Sequence, residues 1–72
     1  MLRSHEYYVI RKGNQYIVGC PYDDTSYVRL SGNKYDGYRD KDFNRMRRVA
    51  KQIDGRVMKF NPITGEITGG WR

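Results

Sequence analysis

One stretch of this chain, and only one, has the periodicity of an amphipathic helix. Between Asp40 and Gly55 the apolar residues fall at Phe43, Met46, Val49, Ala50 and Ile53. At about 100° per residue they gather within an arc of roughly 120°, the stripe a helix buries against a sheet. Asp40 is placed to cap the N-terminus and Asp42 to complement the positive end of the macrodipole. Asp54-Gly55 supplies the stop, with Gly55 expected in the left-handed position.

Elsewhere short aromatic and β-branched runs bounded by turn residues read as strands. Tyr7 to Arg11 and Gln15 to Cys20 are joined across Gly13-Asn14, a two-residue loop suited to a type II′ hairpin with Gly13 at positive φ. In that register Arg11 faces Tyr16, Ile10 faces Ile17 and Val9 faces Val18. Pro21 to Ser26 has the composition of a turn, and Tyr27 to Leu30 reads as a third strand ended by Ser31-Gly32-Asn33-Lys34. Tyr35 to Tyr38 fits either a short strand or an ordered loop. Arg56 to Phe60 is a fourth strand, and Asn61 to Glu66 a hairpin loop returning into Ile67-Thr68. Gly69-Gly70 is expected to loosen the end before Trp71-Arg72, leaving residues 1–6 and 69–72 frayed. The order β-β-β-α-β-β predicts one α+β domain over residues 1–72, a single helix packed on a mostly antiparallel sheet of about five strands.

At 72 residues the core is small, and the one Cys excludes an internal disulfide framework. The domain must therefore stand without staples, in a reducing compartment or as an oligomer. Enzymatic chemistry is poorly supplied. The only His, His5, lies in the N-terminal arm, and Cys20 ends a strand beside Pro21. Together they fall short of the four N/S ligands a zinc site wants. Asp23-Asp24 and Asp36 read as turn formers rather than cation ligands. The expectation is a protein that is not an enzyme and needs no cofactor or metal. No segment has the length and apolarity of a membrane span or the apolar stretch of a signal peptide, so a soluble cytoplasmic protein is expected.

The charge is concentrated. Fourteen Lys and Arg face eight Asp and Glu, for a net +6. Most of that excess lies between Arg39 and Lys59, where Arg39, Lys41, Arg45, Arg47, Arg48, Lys51, Arg56 and Lys59 meet only Asp40, Asp42 and Asp54. On the helical wheel Arg45, Arg47, Arg48 and Lys51, with Asn44 among them, lie opposite the apolar stripe. Arg47 and Lys51 form a like-charged i,i+4 pair, and no Glu interleaves them. A face that tolerates this repulsion suits an external anion, and the planar guanidinium fork suits phosphate or carboxylate. A solvated face kept for solubility is the competing reading. Asn44, Arg45, Arg47, Arg48, Lys51 and Arg39 are thus the first candidates for contact with a partner or a nucleic acid.

The sheet offers a second candidate. With Ile10, Ile17, Val28 and Leu30 under the helix, alternation turns Tyr7, Val9, Arg11, Tyr16, Tyr27 and Arg29 to the opposite side. Aromatic rings interleaved with Arg on an open sheet can stack bases while guanidiniums track the backbone. Half-exposed tyrosines without a ligand, or a homodimer interface, are the alternatives. Trp71, one residue from the end, either folds back on the core or anchors a partner.

The opening Tyr7-Tyr8-Val9-Ile10, the Gly13-Asn14 hairpin, the helix from Phe43 to Ile53 closed by Asp54-Gly55, and then Val57-Met58-Lys59-Phe60 and Asn61-Pro62-Ile63-Thr64-Gly65-Glu66 form a layout. It resembles that of small accessory proteins of phages and prophages of Gram-positive bacteria, a group that includes anti-CRISPR inhibitors. The resemblance implies a binder of a host nuclease or its ribonucleoprotein complex rather than a catalyst. Many such inhibitors are acidic mimics of DNA, and this chain departs from them in its positive charge. A basic inhibitor would have to grip guide RNA, bound DNA or an acidic protein patch. Two further readings stand beside it. One is a stand-alone regulator that binds DNA or RNA directly, the other a small dimeric interaction protein that uses the Tyr face.

Overall fold

A computed structural model describes residues 2–19 and 28–71. β1 (Tyr7–Lys12) lies at the middle of a five-stranded sheet, flanked by β2 (Gln15–Val18) and β4 (Arg56–Asn61). β3 (Arg29–Ser31) and β5 (Glu66–Trp71) form the edges, in the order β3-β2-β1-β4-β5, and every pairing between neighbouring strands is antiparallel. Among the described residues one α-helix, α1 (Phe43–Gln52), connects the β3 side to β4 and lies across β1 and β4. This is the α+β arrangement that the sequence pattern predicts.

The first hairpin follows its expected register, Arg11 opposite Tyr16 and Lys12 opposite Gln15, with Gly13 at φ +61°. The third strand is shifted by comparison with Tyr27–Leu30, running Arg29–Ser31, and Tyr27 lies outside the described residues. The ambiguous stretch after it is a short 3-10 turn, Lys34–Asp36, capped by the Asn33 side chain, which accepts the Tyr35 N–H at 3.0 Å. From there the chain bonds to both central strands. Tyr38 donates its N–H to the Ile17 carbonyl at 2.7 Å, and Asp40 exchanges backbone bonds with Tyr8 at 2.8 and 3.1 Å.

Both ends of α1 differ from expectation by a residue or two. The cap is Asp42, whose carboxylate accepts the Arg45 N–H at 3.2 Å. Asp40 is drawn into its bridge with Tyr8, and its carboxylate instead accepts the N–H of Asp42 at 2.8 Å. At the other end Asp54, not Gly55, takes the left-handed conformation, at φ +57°. The Gly55 N–H donates to Ala50 at 2.8 Å and the Asp54 N–H to Lys51 at 3.5 Å, the pairing of a Schellman turn. Lys12 completes the end by donating its ammonium to the Ile53 carbonyl at 2.6 Å.

The sheet has a core on each face. Between sheet and helix lie Ile10, Ile17, Met46, Val49, Ala50 and Val57, flanked by Tyr8, Val28, Tyr38, Phe43 and Ile53. Leu30, expected in this layer, is instead exposed at the centre of the short edge strand β3. The opposite face holds a second cluster of Val9, Tyr16, Met58 and Phe60, with Ile67 against it. Gly69 and Gly70, expected to fray, belong to β5 and form an irregularity opposite Val57 and Met58. At the other terminus Glu6 and Arg3 close a hydrogen-bonded turn.

Candidate functional site

The helix divides its side chains cleanly. Met46, Val49 and Ala50 are buried, while Asn44, Arg45, Arg47, Arg48 and Lys51 are exposed. No acidic residue occurs between Phe43 and Gln52. A contiguous helical surface thus carries three guanidiniums and an ammonium toward solvent.

Arg39 does not join them. Its guanidinium lies on the far side of the sheet, 5.2 Å from the centroid of the Phe60 ring, and donates to the Tyr35 carbonyl at 3.3 Å. Asp40 is bridged to Tyr8 of β1, and the residue before it falls on the opposite face of that extended backbone. Sequence proximity to α1 therefore does not bring Arg39 onto the helix face.

The far face is not the open Tyr platform that alternation alone suggests. Tyr16 is only 8% exposed, packed among Val9, Met58 and Phe60 with Gly37 close to its Cβ, so it has no free ring face to stack on a base. Tyr7 is half-buried with the Lys41 ammonium 4.9 Å from its ring centroid. Arg11 folds back on its own hairpin. Its Nε donates to Gly13 at 2.9 Å and its Nη2 to Asn14 at 3.3 Å, with the guanidinium 5.9 Å from the Tyr16 centroid. Arg29 is exposed on the edge strand, and Tyr27 lies outside the described residues.

Covering the second core is a layer the sequence reading did not assign. Tyr35 meets Phe60 edge-on at 5.3 Å, and the Lys34 ammonium donates to the Gly65 carbonyl, tying the 3-10 turn to the β4–β5 loop. The available signal was the alternation of Met58, Phe60 and Ile67, which places a second apolar row on the face away from α1.

Trp71 folds back on the helix side. Its ring packs at right angles to Phe43, at 5.8 Å, and to Tyr8, at 6.3 Å, while remaining 39% exposed. Two shallow concavities lie on the surface of the described residues. One, beside the helix C-terminus, is bordered by Lys12, Val28, Leu30 and Ile53. The other lies on the far side, between Arg11 and Arg56. Cys20, Asp23 and Asp24 are outside the described residues. No helix among the described residues is long and apolar enough to cross a membrane. No protein-family model, curated protein or solved structure matches this chain.

Proposed function

We propose that the chain is a non-enzymatic binding module that presents its arginine-rich helix face to a polyanionic target. The observation that carries this reading is the division of α1 itself. One side is buried against the sheet, and the other exposes Asn44, Arg45, Arg47, Arg48 and Lys51 with no acidic residue among them. Guanidiniums on a rigid helix suit phosphate oxygens, because their planar forks donate two parallel hydrogen bonds without reorganising the backbone.

The target is a nucleic acid, alone or within a ribonucleoprotein, or an acidic protein surface. An anti-defence role against a host nuclease complex, suggested by the layout, is one instance of this reading. A stand-alone DNA- or RNA-binding regulator is another. The salt dependence of binding separates them. Direct capture of duplex DNA gives a log–log slope of about −0.9 for each phosphate neutralised. A protein or ribonucleoprotein target leaves binding to naked DNA and RNA weak.

The deciding variant replaces Arg47, Arg48 and Lys51 together by Gln. All three are exposed, so the fold should survive, as circular dichroism would verify. Binding to duplex DNA, RNA or a captured host complex should be lost. Undiminished binding by a folded triple variant refutes the proposal.

A further inference from the structure

The concavity on the face away from α1 is about 300 Å³ in volume, at the small end of the range of ligand pockets. Arg11 on β1 and Arg56 on β4 border it, and they are direct cross-strand partners. Facing residues on antiparallel strands hold their Cβ atoms roughly 4.5–5.5 Å apart, where like charges repel. Met58 adds an apolar wall.

β5 would normally contribute a further row of side chains here. It brings Gly69 and Gly70 instead, at φ +84° and +135°, opposite the irregularity between Val57 and Met58. A Cβ on Gly70 would stand 3.6 Å from the Met58 sulfur, so any larger side chain would begin to fill the space. The opening thus follows from backbone glycines as well as from long arginines.

The Arg11 guanidinium is held in place by its bonds from Nε and Nη2 to the Gly13 carbonyl and the Asn14 side chain. Nη1 and a second Nη2 proton are not used by those bonds. Arg56 is exposed at the facing position. Asp54 also lines the cleft, its backbone set by the turn that ends α1. Two guanidiniums and one carboxylate leave a single net positive charge, the complement of a monoanion.

From this geometry we infer that the Arg11–Arg56 cleft is a binding site for one phosphodiester group. The ligand is a singly charged phosphate flanked by organic substituents, its two free oxygens bridging the guanidiniums. The Met58 wall meets an apolar part of the ligand, and Asp54 accepts a hydrogen bond from a neighbouring hydroxyl or amine. A terminal phosphate, carrying close to two negative charges, fits less well beside the Asp54 carboxylate. The site lies across the sheet from α1 and does not rest on the proposed role of the helix.

The test is an NMR titration of the intact chain with the dinucleotide thymidylyl-thymidine, beside thymidine 5′-monophosphate and inorganic phosphate, at constant ionic strength. The Nε–H resonances of Arg11 and Arg56 should shift saturably with the dinucleotide, and more weakly with both terminal phosphates. Arg56→Gln should weaken dinucleotide binding about tenfold or more, the effect of losing a charged hydrogen-bond partner. Arg56→Lys keeps the charge but not the fork and should be intermediate, whereas the triple helix variant should bind as the parent does. The inference is overturned by shifts that match those of added chloride, by preference for either terminal phosphate, or by binding that survives Arg56→Gln. Loss of dinucleotide binding in the helix variant alone would likewise overturn it.

Discussion

The Arg39 guanidinium lies 5.2 Å from the centroid of the Phe60 ring, on the sheet face that α1 does not cover. Phe60 itself is fully buried, and Tyr35 meets the same ring edge-on. A cation over an aromatic face at an exposed position contributes about 0.5–1 kcal/mol, and the Arg stem also shields the ring from water. Arg39→Ala should therefore lower stability by roughly that amount in urea unfolding. It should leave the affinity of the helix face for DNA or RNA near that of the parent. A loss of affinity as large as that of the Arg47, Arg48 and Lys51 variant would place Arg39 in the binding surface after all.

The turn that ends α1 makes opposite predictions at adjacent positions. Asp54 carries the positive φ, so Asp54→Gly removes a left-handed penalty of about 1–2 kcal/mol and loses part of that gain to a freer unfolded chain. A net stabilisation of up to about 1 kcal/mol is expected. Gly55 is buried for another reason. A Cβ there would stand 3.1 Å from both the Arg11 carbonyl oxygen and the Ile10 Cγ2, so the helix end packs directly on β1. Gly55→Ala should cost about 1–3 kcal/mol through overpacking. Urea midpoints of the two variants should move in opposite directions.

What the sequence made legible was whatever local periodicity determines. The stripe from Phe43 to Ile53 and the aromatic and β-branched runs joined at Gly13-Asn14 were sufficient to give the helix, the first hairpin and the faces of Ile10 and Ile17. Assignments that depend on distant partners were not. Asp40 and Asp42 are both good caps by composition, and what separates them is the backbone bridge between Asp40 and Tyr8. Tyr16 alternates as an outward residue, yet it is buried because Met58, Phe60 and Ile67 build a second apolar layer beside it. The exposed set Asn44, Arg45, Arg47, Arg48 and Lys51 could be read because a helix sorts its own faces. The Arg11–Arg56 opposition could not, since nothing local fixes the register of β1 against β4.

The N-terminal turn gives a pH dependence of known sign. The Arg3 N–H donates to the Glu6 carboxylate at 2.8 Å. This bond, more than the nearby Lys59, Arg3 and His5 charges, holds the Glu6 carboxyl below its ordinary value of 4.5, against a smaller opposing effect of burial. The charged form is the one the folded turn favours. Its contribution is therefore complete above the unfolded value and fades as pH falls from about 4.5 through the lower folded one. Hydrogen exchange of the Arg3 amide should accelerate, relative to the intrinsic rate, over that acidic interval. Glu6→Gln should remove the pH dependence; an Arg3 amide equally protected at all pH values would contradict the assignment.

Capping can be tested by separating the two candidate acids. Asp42→Ala removes the acceptor for the Arg45 N–H and should cost about 0.5–2 kcal/mol, whereas Asp42→Asn keeps an acceptor and should cost much less. Asp40→Asn retains an oxygen for the Asp42 N–H and should also be mild. Thermal unfolding by circular dichroism ranks the three. A larger penalty for Asp40→Asn than for Asp42→Ala would return the cap to Asp40.

The last relationship couples two residues of β5. Gly69 has φ +84°, and a Cβ added to it would stand 2.5 Å from Cη2 and Cζ3 of the Trp71 ring. The indole can pack against Phe43 and Tyr8 only because position 69 has no side chain. Trp71→Ala should cost about 1–3 kcal/mol, less than loss of a fully buried ring because the indole is 39% exposed. Gly69→Ala should displace the same ring and add backbone strain. Its penalty has two parts, and only the steric part disappears when the ring is already gone. In a double-mutant cycle the combined variant should therefore be more stable than the sum of the single losses, by about 0.5–3 kcal/mol. Trp71 is the chain's only Trp, so its fluorescence reports displacement directly, with a red shift expected in Gly69→Ala. Strict additivity, together with an unshifted emission spectrum, would mean that the indole does not depend on the glycine for its seat.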